Sequence, residues 1–310
     1  MRRLLVGYLA VDLTAEMLEG ETVCHVLDIY HKHAIERVFP QATVVCSAHL
    51  PEGPWDQILF KTGPRRMPGE VALSLLQEIS GARVKDFKLD YVGKVRDRET
   101  FLDHIRKDKE RVRSFRAEWP ASVPGGPQLT FVSYPGCFCH RRLDDGGLAL
   151  AEVVSRILKE ETPTRNAPFE ILDMGCGCGL VSCLIASLVP NVHLTLIDSH
   201  SRAVEAAQEN VQRFGLSADV ILADNGIDSL KGMKHKFDVF VGNPPYYSDY
   251  RIADVFLDTA KKALKWGGRC WTVCKNAAGL EPVQLRYFPR VETHHRRGYA
   301  VLESTHIEEA

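Results

Sequence analysis

One rhythm in the second half of the chain limits the fold more than any other feature. From Phe169 to Val273, apolar runs of strand length alternate with stretches of helical spacing. Phe169–Met174 reads as a strand entering a glycine loop, and Leu180–Val189 as an apolar helix ending at Pro190. Val192–Ile197 is a strand ending at Asp198. Ser201–Phe214 puts Ala203, Val204, Ala207 and Val211 on one face, with Gly215 as its stop. Asp219–Ala223, Phe237–Gly242 and Arg269–Val273 are further strands, and Val255–Leu264 a helix stopped by Gly267-Gly268. This alternation predicts an α/β fold, a mostly parallel sheet with helices on both faces. Ligands of such sheets lie beyond the carboxyl ends of the strands.

The chain has 310 residues, long enough for two domains. The Pro- and Gly-rich stretch 120–128 is the clearest linker by composition, which predicts domains over 1–125 and 126–310. The first half repeats the strand pattern of the second. Val26-Leu27-Asp28-Ile29 parallels Ile171-Leu172-Asp173-Met174, Pro40–Val45 parallels Pro190–Thr195, and Trp55–Phe60 parallels Phe237–Val241. A helical stretch, Val71–Ile79, follows as Val255–Leu264 does later. We read this as an internal duplication.

Composition narrows the partners. Hydrophobic residues make up 45% and charged residues 25%, with a net charge of −1, which speaks against disorder and against coating nucleic acid by bulk charge. No window approaches the ~20 apolar residues of a membrane span, so no membrane partner is expected. The apolar run after Met1-Arg2-Arg3 stops at Asp12 without a small-x-small site and reads as a first strand or a buried helix rather than a signal peptide. Nine cysteines without a CxxC pair fit reduced thiols and a cytoplasmic location. Two CxC pairs, Cys137/Cys139 and Cys176/Cys178, lack the usual zinc spacing, so no metal is expected.

The chemistry-bearing residues sit at the predicted strand ends. Asp173-Met174-Gly175-Cys176-Gly177-Cys178-Gly179 is a strand end followed by GxGxG, where glycines let backbone approach a ligand and turn into a helix. Asp198 ends the next strand, placed to accept hydrogen bonds from ribose hydroxyls. Asp224 and Asn225 follow the third and are suited to an adenine edge. The fourth runs into Asn243-Pro244-Pro245-Tyr246. Two prolines fix the backbone rigidly. That rigidity can aim the Asn243 side chain and the Pro244 carbonyl at one amino group while the Tyr246 ring stacks on a planar base.

Together these motifs resemble the class I S-adenosylmethionine-dependent methyltransferases that act on amino nitrogens. Pro135-Gly136-Cys137-Phe138 and Leu143-Asp144-Asp145-Gly146 look like the segment that lies over the cofactor in the ribosomal RNA guanine-N2 methyltransferases, and Arg296–Leu302 resembles their final strand. The resemblance covers about residues 131–303. It implies two Rossmann-like methyltransferase domains in tandem, the N-terminal one degenerate. It implies S-adenosyl-L-methionine held by Phe138, Asp144, Gly146, Asp173, Gly175, Gly177, Gly179, Asp198, Asp224, Asn225 and Asn243. Asn243, Pro244 and Tyr246 would be catalytic, and the substrate a guanine of ribosomal RNA or of a ribosomal subunit met by a monomer.

Two features depart from that pattern or leave it open. Tyr246-Tyr247 stands where the family usually has Phe or Trp followed by His. Asn-Pro-Pro-Tyr also occurs in protein glutamine and adenine-N6 methyltransferases, so those substrates stay open. An inactive RNA-binding assembly protein is the alternative from another class. In the first half, Tyr30-His31-Lys32-His33 stands where glycines are expected and Lys61-Thr62-Gly63-Pro64 where Asn-Pro-Pro is expected. Large side chains there would fill the space a cofactor needs. Two basic clusters, Arg106–Arg116 and Arg286–Arg297, are candidates for RNA phosphates; a solvated helix face and a loop are the alternatives.

Overall fold

The computed structural model describes residues 1–63, 67–92, 115–161, 167–224, 232–245 and 250–308. These form two compact units. The first is Met1–Ala117 with Tyr134–His140 and His200–Arg202; the second is the rest.

The first unit is built on five strands, β1 (Arg2–Val6), β2 (Glu21–Val26), β3 (Thr43–Cys46), β4 (Trp55–Thr62) and β5 (Val84–Tyr91), all parallel in the order β3-β2-β1-β4-β5. Period-two alternation sends Leu4 and Val6 to one face and Leu5 to the other. On one face α2 (Gly69–Gly81) buries Val71, Leu75 and Ile79 against Leu4, Ile58 and Phe60. On the other α1 (Ile29–Val38) buries Ile35 with Leu5, Val26 and Val44.

In the second unit β6 (Ala117–Ala121) and β7 (Leu129–Ser133) form a two-stranded sheet. Residues 120–128, read as the interdomain linker, therefore join two paired strands, and the units divide at Ala117/Glu118. Proline and glycine mark a tight connection as strongly as a linker. Helix α3 (Asp145–Glu161) follows. Then come β8 (Phe169–Met174), α4 (Leu180–Ala186), β9 (Val192–Asp198), α5 (Ser201–Arg213) and β10 (Ala218–Leu222). The chain continues through β11 (Phe237–Gly242), α6 (Arg251–Ala263), β12 (Leu264–Cys274), α7 (Ala277–Gln284), β13 (Glu292–Arg296) and β14 (Tyr299–Thr305). The seven-stranded order is β10-β9-β8-β11-β12-β14-β13, and all strands run the same way except β14, which pairs antiparallel with both β12 and β13.

Helix α6 ends at Ala263, earlier than expected. Gly267-Gly268 stop no helix; they lie in β12, where the register with β11 jumps between Phe237/Leu264 and Val239/Arg269. A side chain at Gly268 would stand 2.9 Å from the Lys265 carbonyl oxygen, so the bulge needs glycine there. The β13–β14 hairpin turns on Arg297 (φ 51°) and Gly298 (φ 71°), the two left-handed residues of a type I′ turn.

The inner strand order of the two sheets is the same. By position β1 matches β8, β2 matches β9 and β3 matches β10. The sequence repeat had paired Val26–Ile29 with β8 and Pro40–Val45 with β9, one strand out; only β4 with β11 was in step. Apolar strands look alike, and the true first strand, Arg2–Val6, lacks the glycine loop that marks β8. Asp28 is therefore the counterpart of Asp198, at the end of a second strand. It caps α1 by accepting from Tyr30 N at 2.8 Å. Tyr30 itself is exposed, so its ring fills no crevice.

The crevice between β1 and β4 is closed by other groups. Lys61, ending β4, reaches Asp12 at 3.2 Å and Asp90 at 3.1 Å and lies over the Tyr8 ring. Of the first basic cluster, Arg106, Lys107, Lys109, Arg111 and Arg113 lie outside the described residues. No helix among the described residues is long and apolar enough to cross a membrane.

Candidate active site

Strand order in the second unit reverses between β8 and β11. Their ends are in register, Gly242 opposite Met174, so the glycine loop and Asn243-Pro244 leave adjacent strands side by side. This is the switch point at which open α/β sheets bind ligands.

The three glycines of the loop have three different reasons. Gly175 (φ +68°) makes room for Phe256 of α6, whose Cζ would be 2.8 Å from a Cβ there. The same ring lies 3.0 Å from a Cβ built on Gly242. Gly179 (φ +79°) lets Leu196 approach to 3.1 Å. Only Gly177 (φ +56°) faces open space, with nothing within 4 Å of a Cβ. Its N–H donates to Asp198 Oδ2 at 2.9 Å. Exposed backbone and a strand-end carboxylate thus meet where a ligand can reach both.

Asp173 is placed differently from its sequence expectation. Its side chain is buried beneath the loop and accepts from Ser182 Oγ at 2.6 Å. Burial raises its pKa from 3.8 to about 7, with Asp198 nearby adding to the rise and Ser182 opposing it. Asp173 therefore ties β8 to α4. Asn210 of α5, missed by the sequence reading, does similar work. It is fully buried, donates to the Cys178 and Val132 carbonyls at 2.9 Å each, and accepts from Val132 N. A single asparagine on a helix carries no local signal of such a role.

The central contact joins residues far apart in sequence. Asp144 accepts from Gly146 N at 3.1 Å and Gly147 N at 3.0 Å, capping α3, and from Asn243 Nδ2 at 2.8 Å. Burial raises its pKa, and the three N–H donors oppose that rise. Because a carboxylate accepts, the amide must present its NH₂ to Asp144, and Asn243 Oδ1 is turned the other way. Pro244 is buried and Pro245 half-buried. Gly146 abuts the Tyr299 ring, 3.1 Å from a Cβ, and Lys275 Nζ lies 4.2 Å from that ring's centre.

Of the remaining expected residues, Asp224 is half-buried just past β10. Phe138 belongs to the Tyr134–His140 segment of the first unit and is 65% exposed. Asn225 and Tyr246 lie outside the described residues. Cys176 and Cys178 are buried thiols, and none of the nine cysteines is in a disulfide. Burial raises the Cys176 thiol far above its usual range. The second basic cluster is partly spent on internal pairing. Arg296 and Arg297 both hold Glu152, Arg286 pairs with Asp254 at 2.7 Å, and His294 with Glu303 at 2.8 Å.

The sequence profile of the methyltransferase small domain matches residues 128–303, more than half of the chain. The chain belongs to the methyltransferase small domain family. Among its relatives, ribosomal RNA large subunit methyltransferase G of Streptomyces griseus is 33% identical over 166 residues, 51% of this chain and 40% of that protein. Ribosomal RNA small subunit methyltransferase C of Pseudomonas entomophila is 29% identical over 238 residues, 76% of this chain and 64% of that protein. The match thus spans less than two thirds of either relative. The T. thermophilus 16S rRNA N2 G1207 methyltransferase, solved with AdoMet and guanosine, shares the fold with a TM-score of 0.77 at 17% identity, over 98% of this chain and 88% of that one. The methyltransferase small domain here is the second unit, and the switch-point site lies within it.

Proposed function

We propose that this protein transfers a methyl group from S-adenosyl-L-methionine to the exocyclic N2 amine of a guanine in ribosomal RNA, as a cytoplasmic monomer acting on the RNA or a ribosomal subunit. The observation that carries this reading is the Asn243 amide, locked by Asp144 at the switch point beside the open glycine loop. The relatives named above are ribosomal RNA methyltransferases, and the solved fold neighbour is a 16S rRNA N2 G1207 methyltransferase.

The residues present fit the cofactor. Gly177 leaves open backbone, and Asp198, steadied by the Gly177 N–H, is suited to ribose hydroxyls. Asp224 and Asn225 would meet the adenine, with Asp144 and Gly146 lying over the cofactor. When bound, S-adenosylmethionine supplies an electrophilic methyl on a sulfonium sulfur. Asn243 Oδ1 and the Pro244 carbonyl would accept both hydrogens of the guanine amine. That favours a pyramidal nitrogen with its lone pair directed outward, and it stabilises the positive charge developing there. Holding the amine in place supplies much of the rest. No strong base is needed, because the cationic product amine is acidic. Tyr246 would stack on a base swung out of its helix, an unstacking that costs a few kcal/mol.

Mass mapping of nucleosides in ribosomal RNA, from cells with and without the protein, tests the assignment. Loss of one N2-methylguanosine is expected, and an unchanged profile would overturn it.

A further inference from the structure

A cleft of about 770 Å³ lies within the second unit, away from the switch point. One wall is the face of α3 that carries Glu152, Arg156 and Lys159; the other is the sheet's edge strand, β13, with His295 and Arg296. Val153, Leu188 and Pro124 add apolar floor.

Its charge is lopsided. Glu152 is buried and held by both Arg296 and Arg297, so its charge is already answered. Arg156 and Lys159 are exposed and make no ion pair among the described residues. Arg296 spends Nε on Glu152 yet remains 52% exposed, which leaves its Nη groups for another anion. Glu160 is the one acid of the cleft lining without a pair among the described residues.

The helix that walls the cleft runs back to the candidate site. Helix α3 starts at Asp145, next to the Asp144 that locks Asn243. Arg297 reaches back to Asp145 at 3.8 Å. From there Glu152, Arg156 and Lys159 follow on one face, about 6 Å and 4.5 Å apart along the axis. Lys275, over Tyr299 beside Gly146, extends the basic line at the site's own end.

We propose that this cleft binds the phosphodiester backbone of a single-stranded RNA segment flanking the target nucleotide. The inference rests on the RNA methyltransferase reading and names the surface that reading requires. A chain with a net charge of −1 cannot gather RNA by bulk attraction, so a local cationic surface on the second unit must do so.

The test is binding of a fluorescein-labelled 20-nucleotide oligouridylate to the full chain over a range of salt concentrations. For the double variant Arg156→Ala/Lys159→Ala we expect at least fivefold weaker binding at moderate salt. Loss of two phosphate contacts should make the slope of log K against log salt shallower by about 1.4. S-adenosylmethionine binding in the same samples should stay at the wild-type value, and Lys262→Ala, on an exposed ion pair of α6, should match wild type throughout. Wild-type affinity and slope in the double variant would overturn the proposal. So would a variant that keeps oligouridylate but loses polyglutamate, which would assign the cleft to an acidic protein. If wild type binds no oligouridylate the proposal also falls. The nucleoside map judges the methylation reading separately from any of these results.

Discussion

Asn243 takes its orientation from Asp144, so the two residues should fail in different ways. Asn243→Ala should leave S-adenosylmethionine binding intact by calorimetry and lower turnover by about 10²-fold or more, the usual loss when a group that stabilises developing charge is removed. Asp144→Ala should lower turnover too, by letting the amide rotate. It should also lower thermal stability by about 1 kcal/mol, because the Gly146 and Gly147 N–H groups lose their cap. Asp173 predicts a pH effect. Well below pH 3.8 its carboxyl is protonated in folded and unfolded chains alike. As pH rises toward 7 the unfolded chain ionises while the buried group resists, so stability is lost over that window. A rise from 3.8 to about 7 corresponds to on the order of 4 kcal/mol at most. Asp173→Asn can still accept from Ser182, so its denaturation midpoint should gain on wild type from pH 4 to 7; parallel curves would refute the assignment. The motif residues themselves were legible, because their spacing is local. The Asp144–Asn243 lock and the Asn210 clamp were not, since each joins segments tens of residues apart and uses residue types common on any surface.

Among the elements, β8 to β11 and helices α4 to α6 followed from periodicity because each of those strands runs into a marked residue: glycine, acid or Asn-Pro-Pro; α3, α7, the β6–β7 pair and β13 carry no such marker and were not read. The first unit lacks those markers, which is why its repeat was read one strand out of step. The glycines were legible as a loop but not as individuals, since which neighbour crowds each one is a packing fact. Gly175→Ala should therefore act mainly through α6. A Cβ 2.8 Å from the Phe256 ring, at φ +68°, should destabilise by about 1–3 kcal/mol. Pairing it with Phe256→Leu should recover part of that loss in chemical denaturation. A purely cofactor-facing glycine would show no such compensation. A second crowded glycine sits farther along: a Cβ on Gly279 would stand 1.8 Å from the Tyr250 hydroxyl. Gly279, in the first turn of α7, thus sets how closely Tyr250 at the start of α6 can approach it.

At the scale of the molecule, two sheets with the same inner strand order differ in what occupies the crevice between first and fourth strands. In the second unit it is lined by open backbone at Gly177 and by the locked Asn243. In the first, Lys61 spans it, paired with Asp12 and Asp90 and lying over Tyr8, and Asp12 also accepts from Leu9 N at 2.9 Å. The lysine and its nearly buried partner Asp12 leave a cationic methyl donor neither space nor an unanswered acid. Calorimetry should therefore find one S-adenosylmethionine per chain. Lys61→Ala tests whether the ion pair is a plug or a support. Stripping the partner from a buried carboxylate typically costs about 3–5 kcal/mol, so the variant should unfold at lower denaturant while its stoichiometry stays at one. A second binding event in the variant would mean that Lys61 alone keeps a competent site closed. No second event is expected, because the connection from β1 to β2 contains two short 3-10 turns in place of a glycine loop and helix.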